Sequence, residues 1–416
     1  MFFFYQIILT LIILVSPIII LIRIFKKKED KVRILEKFSF PSKKRNLGKL
    51  IWFHGSSVGE ILSVIPLIKE YEKKSSINQI LVTSSTLSSS KIIKKFKFKK
   101  TTHQFYPIDH FLFANKFLNY WKPNVAIFIE SEIWPCMFKK IDKKKIPLIL
   151  LNARLTKKTF DKWMIFKKFT QSIFNKILIA YPQNLETKYF LQKLKVNKIN
   201  HIGNLKFAEV KDKKKDIINK SLKFQLKKKK IWVASSTHGS EELFCAKTHI
   251  KLKKKFLNLI TIIIPRHVHR TKEIINRIEK LNLKVITHSS QNKNLKNIDI
   301  YIVDTFGETK KFHKIGSSVF LGGSIVNRGG QNPLEAARFG SRILHGPNTD
   351  NFKDIYKLLK SFKASKEIKT PNELSSSITF NRNKNIGIKL KKMGVKILKK
   401  TIKDLDNVIN NEFKKA

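Results

Sequence analysis

The sequence predicts an α/β protein with two doubly wound, parallel-sheet domains that follow one membrane-spanning helix. Three observations predict this fold. An apolar run of 21 residues lies at the N-terminus. Short apolar segments then alternate with helical stretches, which is typical of parallel strands covered by helices on both faces. The alternation pauses in a lysine-rich stretch and starts again, so the 416 residues divide into two such domains.

The N-terminal run, Phe2–Ile22, is long enough to cross a bilayer, because its length as a helix is about 30 Å. A cleaved signal peptide is the alternative, but the basic start, short apolar core and small-residue cleavage site that it requires are not evident. No Lys or Arg precedes the run. The basic residues that follow it are Arg23, Lys26, Lys27, Lys28, Lys31 and Arg33. The positive-inside rule therefore predicts a single-pass protein whose remaining chain is cytoplasmic, with this basic cluster against anionic lipids.

The first domain is predicted over residues 25–208, after an anchor segment over residues 1–24. Its strand candidates are Leu50–Phe53, Ile80–Thr83, Val125–Ile129, Leu148–Leu151 and Ile177–Ala180. Each is a short β-rich segment followed by a helical stretch. A lysine-rich linker is expected over residues 209–229.

The second domain is predicted over residues 230–416. Its strand candidates are Ile231–Ala234, Leu259–Ile264, Lys284–Thr287, Ile300–Val303, Val319–Leu321 and Arg342–Leu344. Residues from about 372 onward are expected to be helical. In open parallel sheets, ligands bind beyond the carboxyl ends of the strands, so the cleft between the two domains is the expected functional site.

The chain carries 85 Lys and Arg against 30 Asp and Glu, a formal net charge of +55. This charge is compatible with nucleic-acid binding, with attachment to an anionic membrane, or with a general excess of lysine on solvated surfaces. An apolar content of 42% argues against a disordered polycation. Lysines occur in pairs and triplets throughout, so no nucleic acid is expected as a partner. Cys136 and Cys245 lie far apart, which predicts neither a disulfide nor a cysteine metal site.

The segment His54-Gly-Ser-Ser-Val-Gly-Glu60 follows a predicted strand and opens an apolar helix. Glu60 would lie in the first helical turn at the carboxyl edge of the sheet, where a carboxylate can act as a general base on a hydroxyl group. The alternative is a glutamate that only complements the helix dipole. The segment lacks the Gly-x-Ser-x-Gly nucleophile motif, which argues against a serine hydrolase.

Glu130 and Glu132 close the third predicted strand, just before Ile133-Trp-Pro135. Side chains at positions i and i+2 of an extended strand face the same side. We therefore expect the two carboxylates to interact and one of them to have a raised pKa. The alternative is that both are solvated at the strand end.

Seven of the 15 glycines fall within residues 316–346. Gly322-Gly-Ser324 is predicted as a turn after a strand, and Gly329-Gly-Gln-Asn-Pro-Leu-Glu335 as the start of a helix with Asn332 as N-cap and Pro333 at position N1. Free N–H groups at such a helix start would bind a phosphate, and a tight connection without a ligand is the alternative. The pattern is neither the dinucleotide-binding fingerprint nor a Walker loop.

Two further segments end predicted strands in the second domain. Ser235-Ser-Thr-His-Gly-Ser-Glu-Glu242 repeats the layout of the first motif, with small hydroxyl residues, a glycine and a helix that begins with acids. In Pro265-Arg-His-Val-His-Arg270, Arg266 is predicted to bind an anion. A metal at His267 and His269 is disfavoured, because cations adjoin them and no carboxylate does. A solvated basic loop is the alternative.

In this order and at these separations, the segments resemble those of the 3-deoxy-D-manno-octulosonic acid (Kdo) transferases of lipopolysaccharide synthesis. The matching segments are Arg33-Ile-Leu-Glu-Lys-Phe38, His54 with Ser57-Val-Gly-Glu60, Glu130-Ser-Glu-Ile-Trp-Pro135, Asn152-Ala-Arg-Leu155, Gly203-Asn-Leu-Lys-Phe207, Ser236-Thr-His238 with Glu241-Glu242, Pro265-Arg-His267, Asp304 with Gly307-Glu308, Gly322-Gly-Ser324, Gly329-Gly-Gln-Asn-Pro-Leu-Glu335, and Gly346-Pro347 with Asn351-Phe352.

The resemblance implies a GT-B fold, in which two Rossmann-like domains face a cleft. It implies an inverting transfer of Kdo from CMP-Kdo to the lipid A precursor (lipid IVA), without a bound metal or cofactor. The reaction would take place at the cytoplasmic face of the inner membrane, whose anionic lipids would be a further partner.

The resemblance also implies roles for individual residues. Glu60 would be the general base, Glu130 and Glu132 would complete the catalytic set, and Glu335 would bind ribose hydroxyls. The donor-binding residues would be Ser236, Thr237, His238, Arg266, Gly322, Gly323, Ser324, Gln331, Asn332 and Glu335. The residues on the acceptor side would be Ser57, Gly59, Arg154 and Lys206.

Four positions depart from the family pattern. Gln331 stands where His is usual, Cys136 where Asn is usual, Ala208 where Asp is usual and Ser39 where Gly is usual. Gln331 matters most, because an amide keeps a hydrogen bond but cannot take a proton. The alternative functions are another GT-B transferase or an epimerase with a different nucleotide sugar, a nucleic-acid-binding protein, and a non-catalytic membrane scaffold.

Overall fold

The computed structural model describes residues 2–208, 217–291 and 294–415. The chain divides into two compact units, and each is built on its own parallel sheet. The first unit comprises Met1–Val210 and Gly394–Ala416, and the second comprises Lys211–Met393. The predicted class, two parallel-sheet α/β domains after an apolar N-terminal helix, is confirmed.

The described part of the first unit contains a six-stranded sheet in the order β3-β2-β1-β4-β5-β6. Its strands are β1 (Leu50–His54), β2 (Gln79–Ser84), β3 (Thr101–Phe105), β4 (Val125–Ile129), β5 (Leu148–Ala153) and β6 (Ile179–Pro182). Its helices are α1 (Phe2–Phe25), α2 (Val58–Tyr71), α3 (Leu87–Lys94), α4 (Phe111–Trp121), α5 (Pro135–Lys143), α6 (Lys157–Met164), α7 (Lys167–Phe174) and α8 (Leu185–Lys193). Strand β3 was not predicted, because its polar start lacks the apolar run of a buried strand.

Helices cover both faces of this sheet, and the alternation of side chains along each strand divides the core in two. Trp52 of β1 packs in a cluster on one face, with Phe128 of β4. Its neighbours Ile51 and Phe53 pack in the cluster on the other face, with Ile127. The near-continuous apolar strands of the sequence are therefore explained by burial on both sides.

The segment Arg33–Phe38 covers the edge of the sheet at β3. Arg33 binds Glu36 through two hydrogen bonds of 2.8 Å and also donates to the carbonyl of His103 at 2.8 Å. Glu36 accepts the N–H of Phe105 at 2.7 Å, and its side chain is 1% exposed. The segment Arg33–Phe38 therefore has a structural role against edge strand β3.

Helix α1 is the anchor candidate. Residues Phe4–Phe25 contain a window with a mean hydropathy of 2.9, of which 6% is buried, so the helix is long and apolar enough to cross a membrane. Near its N-terminus, α1 contacts other residues of the first unit. The hydroxyl of Tyr5 donates to Asp109 at 2.9 Å, and Thr10 Oγ1 lies 3.4 Å from His110 Nε2.

The described part of the second unit contains a seven-stranded sheet in the order β13-β12-β11-β7-β8-β10-β9. Its strands are β7 (Lys230–Thr237), β8 (Leu259–Pro265), β9 (Val285–Thr287), β10 (Ile300–Ile302), β11 (Ser318–Leu321), β12 (Arg342–His345) and β13 (Ser365–Glu367). The remaining helices are α9 (Lys220–Lys227), α10 (Glu241–Lys253), α11 (Thr271–Glu279), α12 (Thr309–His313), α13 (Leu334–Ala337), α14 (Lys353–Ser361), α15 (Pro371–Ser377) and α16 (Lys384–Lys415). Strand β13 was also missed, because it is a short, polar edge strand.

Two domain boundaries differ from the expected ones. Helix α9 lies within the expected linker 209–229, of which residues 209–216 fall outside the described part. Helix α16 was expected to belong wholly to the second domain, but its residues from Gly394 onward group with the first unit. The reason is packing, since Leu405 and Ile409 lie in the apolar core of the first unit and the Tyr181 hydroxyl donates to Asp404 at 2.6 Å.

Candidate functional site

In the first unit, Glu60 lies at the carboxyl edge of the sheet, where β1 ends and α2 begins. Ser57 is the N-cap of α2, and together with Glu60 it forms a capping box. Oε2 of Glu60 accepts the N–H of Ser56 at 2.7 Å, and Oε1 accepts the hydroxyl of Ser57 at 2.8 Å. Glu60 therefore stabilises the start of α2. The same hydrogen bonds hold its carboxylate in one orientation.

A second carboxylate, Glu132, is fixed next to this cap. Its Oε2 accepts the hydroxyl of Ser56 at 2.6 Å and the indole N–H of Trp134 at 2.9 Å, and it lies 3.1 Å from Nε2 of His54. Three donors converge on one oxygen, so the arrangement favours the ionised form of Glu132. Ser56 bonds both Glu60 and Glu132 and links the two acids.

His54 is fully buried at the end of β1, and its partners indicate which ring nitrogen carries the proton. The indole of Trp52 donates to Thr83 Oγ1 at 2.8 Å, so the Thr83 hydroxyl is free to donate to Nδ1 of His54, 2.9 Å away. Nε2 then carries the hydrogen that is donated to Glu132. Burial lowers the pKa of His54, which is consistent with a neutral ring.

The environments of the two acids move their pKa values apart. Burial, followed by the negative charge of Glu132, raises the pKa of Glu60 from 4.5 to about 7. Burial would also raise the pKa of Glu132, but the hydrogen bond from His54 and those from Ser56 and Trp134 lower it below its usual value. A pair of this kind, one acid titrating near neutral pH beside one that stays ionised, is typical of acid–base sites.

Glu130 makes its direct contacts elsewhere and acts on Glu60 only through its charge, so the expectation that Glu130 and Glu132 pair on one side of a strand is wrong. Glu130 has a positive φ of 57°, which ends the extended strand and turns its side chain away. Its Oε1 forms a 2.6 Å ion pair with Lys206 and lies 3.5 Å from the amide nitrogen of Asn152. The raised pKa that we expected in this pair belongs to Glu60.

The other predicted acceptor-side residues lie in different surroundings. Ser57 and Gly59 are exposed at the start of α2, beside Glu60. Arg154 is half-buried after β5, and its carbonyl accepts the hydroxyl of Ser131 at 2.6 Å. Lys206 is largely buried in its pair with Glu130. Ser57 and Gly59 therefore adjoin Glu60, while Lys206 belongs to the Glu130 pair.

In the second unit, a buried acid occupies the glycine-rich turn. Glu241, which is 0% exposed, accepts the N–H groups of Gly323 at 2.7 Å, Ser324 at 3.1 Å, Ile325 at 2.9 Å and His238 at 2.9 Å. The N–H groups of Gly323 and Ser324 are therefore taken by Glu241 and are not free to bind a phosphate. The N–H of Gly322 is also taken, by the carbonyl of Ser235 at 2.8 Å.

Glycine is required in this turn because of close contacts. A Cβ atom at Gly322 would lie 2.4 Å from the carbonyl oxygen of Ser236 and 2.7 Å from Glu241 Oε2. Ser236 itself has a positive φ of 57°, where β7 is irregular next to Thr237. The carboxyl ends of β7 and β11 are thereby held together around the carboxylate of Glu241.

Basic side chains surround the same turn. Burial, and then the charges of His267, Arg266 and Arg328, lower the pKa of His238 to about 4, so this ring is neutral near pH 7. Arg266 is exposed after β8, whereas Arg270 is engaged by Glu242 at 3.1 Å. Arg266 is therefore the better placed of these two arginines for an external anion.

Near this basic region, two polar atoms have no hydrogen-bond partner among the residues that the structure describes. They are Thr237 Oγ1 and His238 Nε2, which are both buried. A buried polar atom without a partner destabilises the folded protein unless a ligand or a water molecule pairs with it. The rings of His267 and His269 lie 5.5 Å apart, and among the described residues no group of three His, Cys, Asp or Glu side chains is placed to hold a metal ion.

The helix predicted after Asn332 is a single turn, α13, and starts one residue later than expected. The N-cap is Pro333, so the predicted N-cap at Asn332 and the predicted N1 position at Pro333 are wrong, although Asn332 Oδ1 accepts the N–H of Leu334 at 3.0 Å. Four residues give little dipole, so the helix-dipole argument for a phosphate fails here. The backbone of Gln331 is held by the hydroxyl of Tyr356 at 2.9 Å.

Glu335 lies on α13, and its Oε1 is 3.2 Å from Nδ1 of His313. Its side chain is 42% exposed, although Oε1 itself is buried. The predicted ribose-binding acid is therefore present at the surface of the second unit and held on one side by an imidazole.

Sequence reasoning gave no role to three side chains that organise these sites: His54, Glu241 and His313. His54 and Glu241 stand in the quoted motifs, at a strand end and a helix start. Their position could have indicated a role at the carboxyl edge of each sheet. His313 had no local signal, since it ends a five-residue helix far along the chain from Ser235 and Glu335.

Comparison with known proteins agrees with the resemblance drawn from the motifs. The family model described as 3-deoxy-D-manno-octulosonic-acid transferase (kdotransferase) matches residues 32–209. A 3-deoxy-D-manno-octulosonic acid transferase of Rickettsia prowazekii is 36% identical over 349 residues, covering 82% of this chain and 74% of the relative. The transferase of Rickettsia bellii is 35% identical and covers 90% of this chain and 89% of the relative. That of Haemophilus influenzae is 28% identical, with 76% and 75% covered.

Solved structures resemble the chain over most of its length. A UDP-GlcNAc 2-epimerase from Neisseria meningitidis matches with a TM-score of 0.55 at 14% identity, covering 85% of this chain and 100% of that one. A glycosyltransferase from Rickettsia africae matches with a TM-score of 0.54 at 11% identity, covering 88% and 100%. At such identities the likeness shows the fold alone, two Rossmann-like domains of the GT-B kind.

Proposed function

The chain belongs to the 3-deoxy-D-manno-octulosonic acid transferase family and is a glycosyltransferase of lipopolysaccharide synthesis; from this premise we propose that it transfers Kdo from CMP-Kdo to lipid IVA with inversion and without a metal. The observation that most supports a general base in this proposal is the environment of Glu60, which is held by Ser56 and Ser57 beside the ionised Glu132 and has a raised pKa. A carboxylate with a pKa of about 7 is suited to accept a proton from a hydroxyl near neutral pH.

In the proposed reaction, Glu60 takes the proton of the acceptor hydroxyl. The hydroxyl oxygen attacks the anomeric carbon of Kdo from the face opposite the phosphate. The bond from that carbon to the phosphate oxygen breaks, and CMP leaves with the electron pair. One displacement without a covalent enzyme intermediate inverts the anomeric carbon.

Glu132 assists Glu60 without taking the proton itself in this scheme. It stays ionised because His54, Ser56 and Trp134 donate to it, and its charge adds to burial in raising the pKa of Glu60. A base with a higher pKa removes the hydroxyl proton more effectively once it is deprotonated. Glu130, paired with Lys206, is proposed to shape the acceptor side instead.

The donor is assigned to the second unit. Arg266, with the neutral ring of His238 as a hydrogen-bonding partner, would neutralise the departing phosphate. The unpaired Thr237 Oγ1 and His238 Nε2 support a polar ligand at this point. The turn at Gly322-Gly-Ser324 would contribute shape rather than N–H donors, since Glu241 takes those groups. Glu335 would bind the ribose.

The remaining donor-side assignments are Ser236, Gln331 and Asn332. Gln331 lies near the turn, because a Cβ atom placed on Gly323 would be 3.5 Å from its Nε2 and 3.3 Å from His238 Cδ2. An amide there donates a hydrogen bond to an oxyanion but carries no charge, which fits the proposed scheme because the proton is taken by Glu60.

The proposed location is the cytoplasmic face of the inner membrane, with α1 as a single span and the following basic residues against anionic lipids. Support comes from the apolar composition of α1 and the basic residues after it. A spanning α1 requires the contact between Tyr5 and Asp109 to open. A cysteine inserted directly after Met1 tests this: in intact cells, a membrane-impermeant thiol reagent should label it, and protection from the reagent would contradict a span.

The enzymatic proposal is tested with purified full-length protein in detergent. Incubation with CMP-Kdo and lipid IVA should release CMP, in the presence of a chelator as well as in its absence. In thermal-shift measurements, CMP should stabilise the protein more than UDP or GDP does. Stabilisation by UDP alone, together with an absence of CMP release, would contradict the assignment of the donor.

A further inference from the structure

Three polar side chains form a chain of contacts in the second unit. Oε1 of Glu335 lies 3.2 Å from Nδ1 of His313, and Nε2 of His313 lies 3.0 Å from Oγ of Ser235. Ser235 and His313 are 1% and 3% exposed, whereas the Glu335 side chain is 42% exposed. This series of contacts therefore extends from the buried Ser235 to the partly exposed carboxylate of Glu335.

The three residues come from different elements that meet at the carboxyl edge of the sheet. Ser235 lies near the end of β7, opposite Leu321 of β11. His313 is the last residue of α12, and Glu335 is on α13. This edge is where parallel sheets bind their ligands.

His313 is the fixed member of the pair that it forms with Glu335. Its ring is buried, and its carbonyl accepts a hydrogen bond from Arg382 at 3.4 Å. The preceding residue, Phe312, packs against Tyr301 with ring centroids 5.9 Å apart. A surface glutamate otherwise samples several rotamers, so the buried imidazole determines where the carboxylate stays.

The order of burial along these three side chains excludes a serine nucleophile. Ser, His and Glu side chains in consecutive contact resemble a hydrolase triad. Here the serine is at the buried end, 1% exposed, and the acid is at the exposed end. No substrate carbonyl reaches Ser235 in this arrangement.

The electrostatics favour an ionised, ligand-accepting carboxylate at Glu335. Burial opposes ionisation, but the contact with His313 at 3.2 Å and the positive charges of Lys310 and Arg338 lower the pKa of Glu335 below its usual value. Oε1 is buried against His313, so the exposed part of the side chain is left to accept hydrogen bonds from outside.

We propose that His313 is a positioning residue for the nucleotide: it fixes one oxygen of Glu335 so that the other accepts the ribose hydroxyls of a cytidine nucleotide. The inference rests on the proposed donor and on the assignment of ribose to Glu335. It adds to them the residue that holds the acid in place, and it explains why a buried histidine contacts an exposed acid.

The test measures ribose discrimination, which a purely structural role would not change. Isothermal titration calorimetry on the full-length protein gives the Kd values of CMP and of 2′,3′-dideoxy-CMP, which lacks both ribose hydroxyls. The wild type should bind CMP tighter by about tenfold or more, as expected for hydrogen bonds to a charged acceptor. Glu335→Gln should lose most of this ratio.

Two substitutions at His313 form a matched pair. In His313→Asn the amide nitrogen takes the approximate place of Nδ1, so contact with Glu335 and most of the ratio should remain. In His313→Gln the amide extends toward Ser235 instead, and the ratio should fall to that of Glu335→Gln. The double variant His313→Gln/Glu335→Gln should show no further fall. Melting temperatures confirm that each variant is folded.

The outcomes separate this inference from the proposed function. If CMP binds with ribose discrimination that depends on Glu335 but not on His313, the positioning role is overturned and the donor assignment stands. Equal weakening of both nucleotides in His313→Gln would indicate a structural role only and would also overturn it. If the wild type does not bind CMP, the donor assignment and this inference both fail.

Discussion

The carboxylates of Glu60 and Glu132 are joined through one residue, Ser56, whose N–H donates to Glu60 at 2.7 Å and whose hydroxyl donates to Glu132 at 2.6 Å. The connection places two acids in one polar network but in different electrostatic states. One has a pKa raised to about 7, and the other has a pKa lowered by its donors. The proposed division of labour between base and supporting acid follows from this difference.

The first prediction concerns the base itself. Glu60→Gln should lower kcat by about a hundred- to ten-thousandfold, because the acceptor hydroxyl loses its proton acceptor. Affinity for CMP should be unchanged, since the donor is assigned to the other unit. The matched control is Glu70→Gln on the same helix, where Glu70 forms an exposed pair with Lys73. Equal activity of the Glu60 and Glu70 variants would show that Glu60 is only a helix cap.

The second prediction concerns pH dependence. Activity of the wild type should fall as pH drops below about 7, because Glu60 becomes protonated. Glu132→Gln removes a negative charge that raises the pKa of Glu60, so the acidic limb of the kcat/KM profile should move to lower pH. Glu130→Gln should move it less, since Glu130 contributes less to that shift. An unchanged acidic limb in Glu132→Gln would refute the coupling between Glu60 and Glu132.

The third prediction concerns stability. The pKa of Glu60 rises from 4.5 to about 7 on folding, so its carboxyl favours the folded state below pH 4.5 and this advantage is lost as pH rises to about 7. Glu60→Gln does not titrate. The melting temperature of the variant, relative to that of the wild type, should therefore rise between pH 4.5 and pH 7. Above pH 7 the difference between the two should stay constant. A constant difference across this range would argue that Glu60 is not buried in the folded protein.

The fourth prediction concerns the edge of the first sheet. Arg33→Ala leaves the carboxylate of Glu36 buried at 1% exposure without its bidentate partner. Loss of one partner of a buried pair costs about 3–5 kcal/mol in the free energy of unfolding. Arg277→Ala is the control, because Arg277 and Glu273 form an exposed pair, and loss of an exposed pair should change stability far less. Chemical denaturation of both variants measures the difference.

The strands that the sequence predicts well are those with continuous apolar runs buried on both faces, such as Val125–Ile129, whose bounds are the observed ones. Edge strands β3 and β13 escape prediction because burial on one side allows polar residues. The return of α16 to the first unit depends on which core accepts Leu405 and Ile409, and no local pattern contains that information.

The candidate site shows the same limit. Glu60 was predictable from a strand–turn–helix pattern within seven residues. The positive φ at Glu130 was not, because nothing in a Glu-Ser-Glu segment requires it, and it separates two acids that sequence spacing would pair. Glu241 takes the N–H groups of a turn about 80 residues away, a contact that only the folded sheet creates.

The central claim is Kdo transfer with Glu60 as base, and intact-mass spectrometry of the lipid tests it most directly. Lipid IVA incubated with CMP-Kdo and the wild type should gain the mass of one or more whole Kdo residues, with one CMP released per residue added. Glu60→Gln should leave lipid IVA unchanged. CMP release without any gain in lipid mass, or the same gain with Glu60→Gln, would contradict the claim.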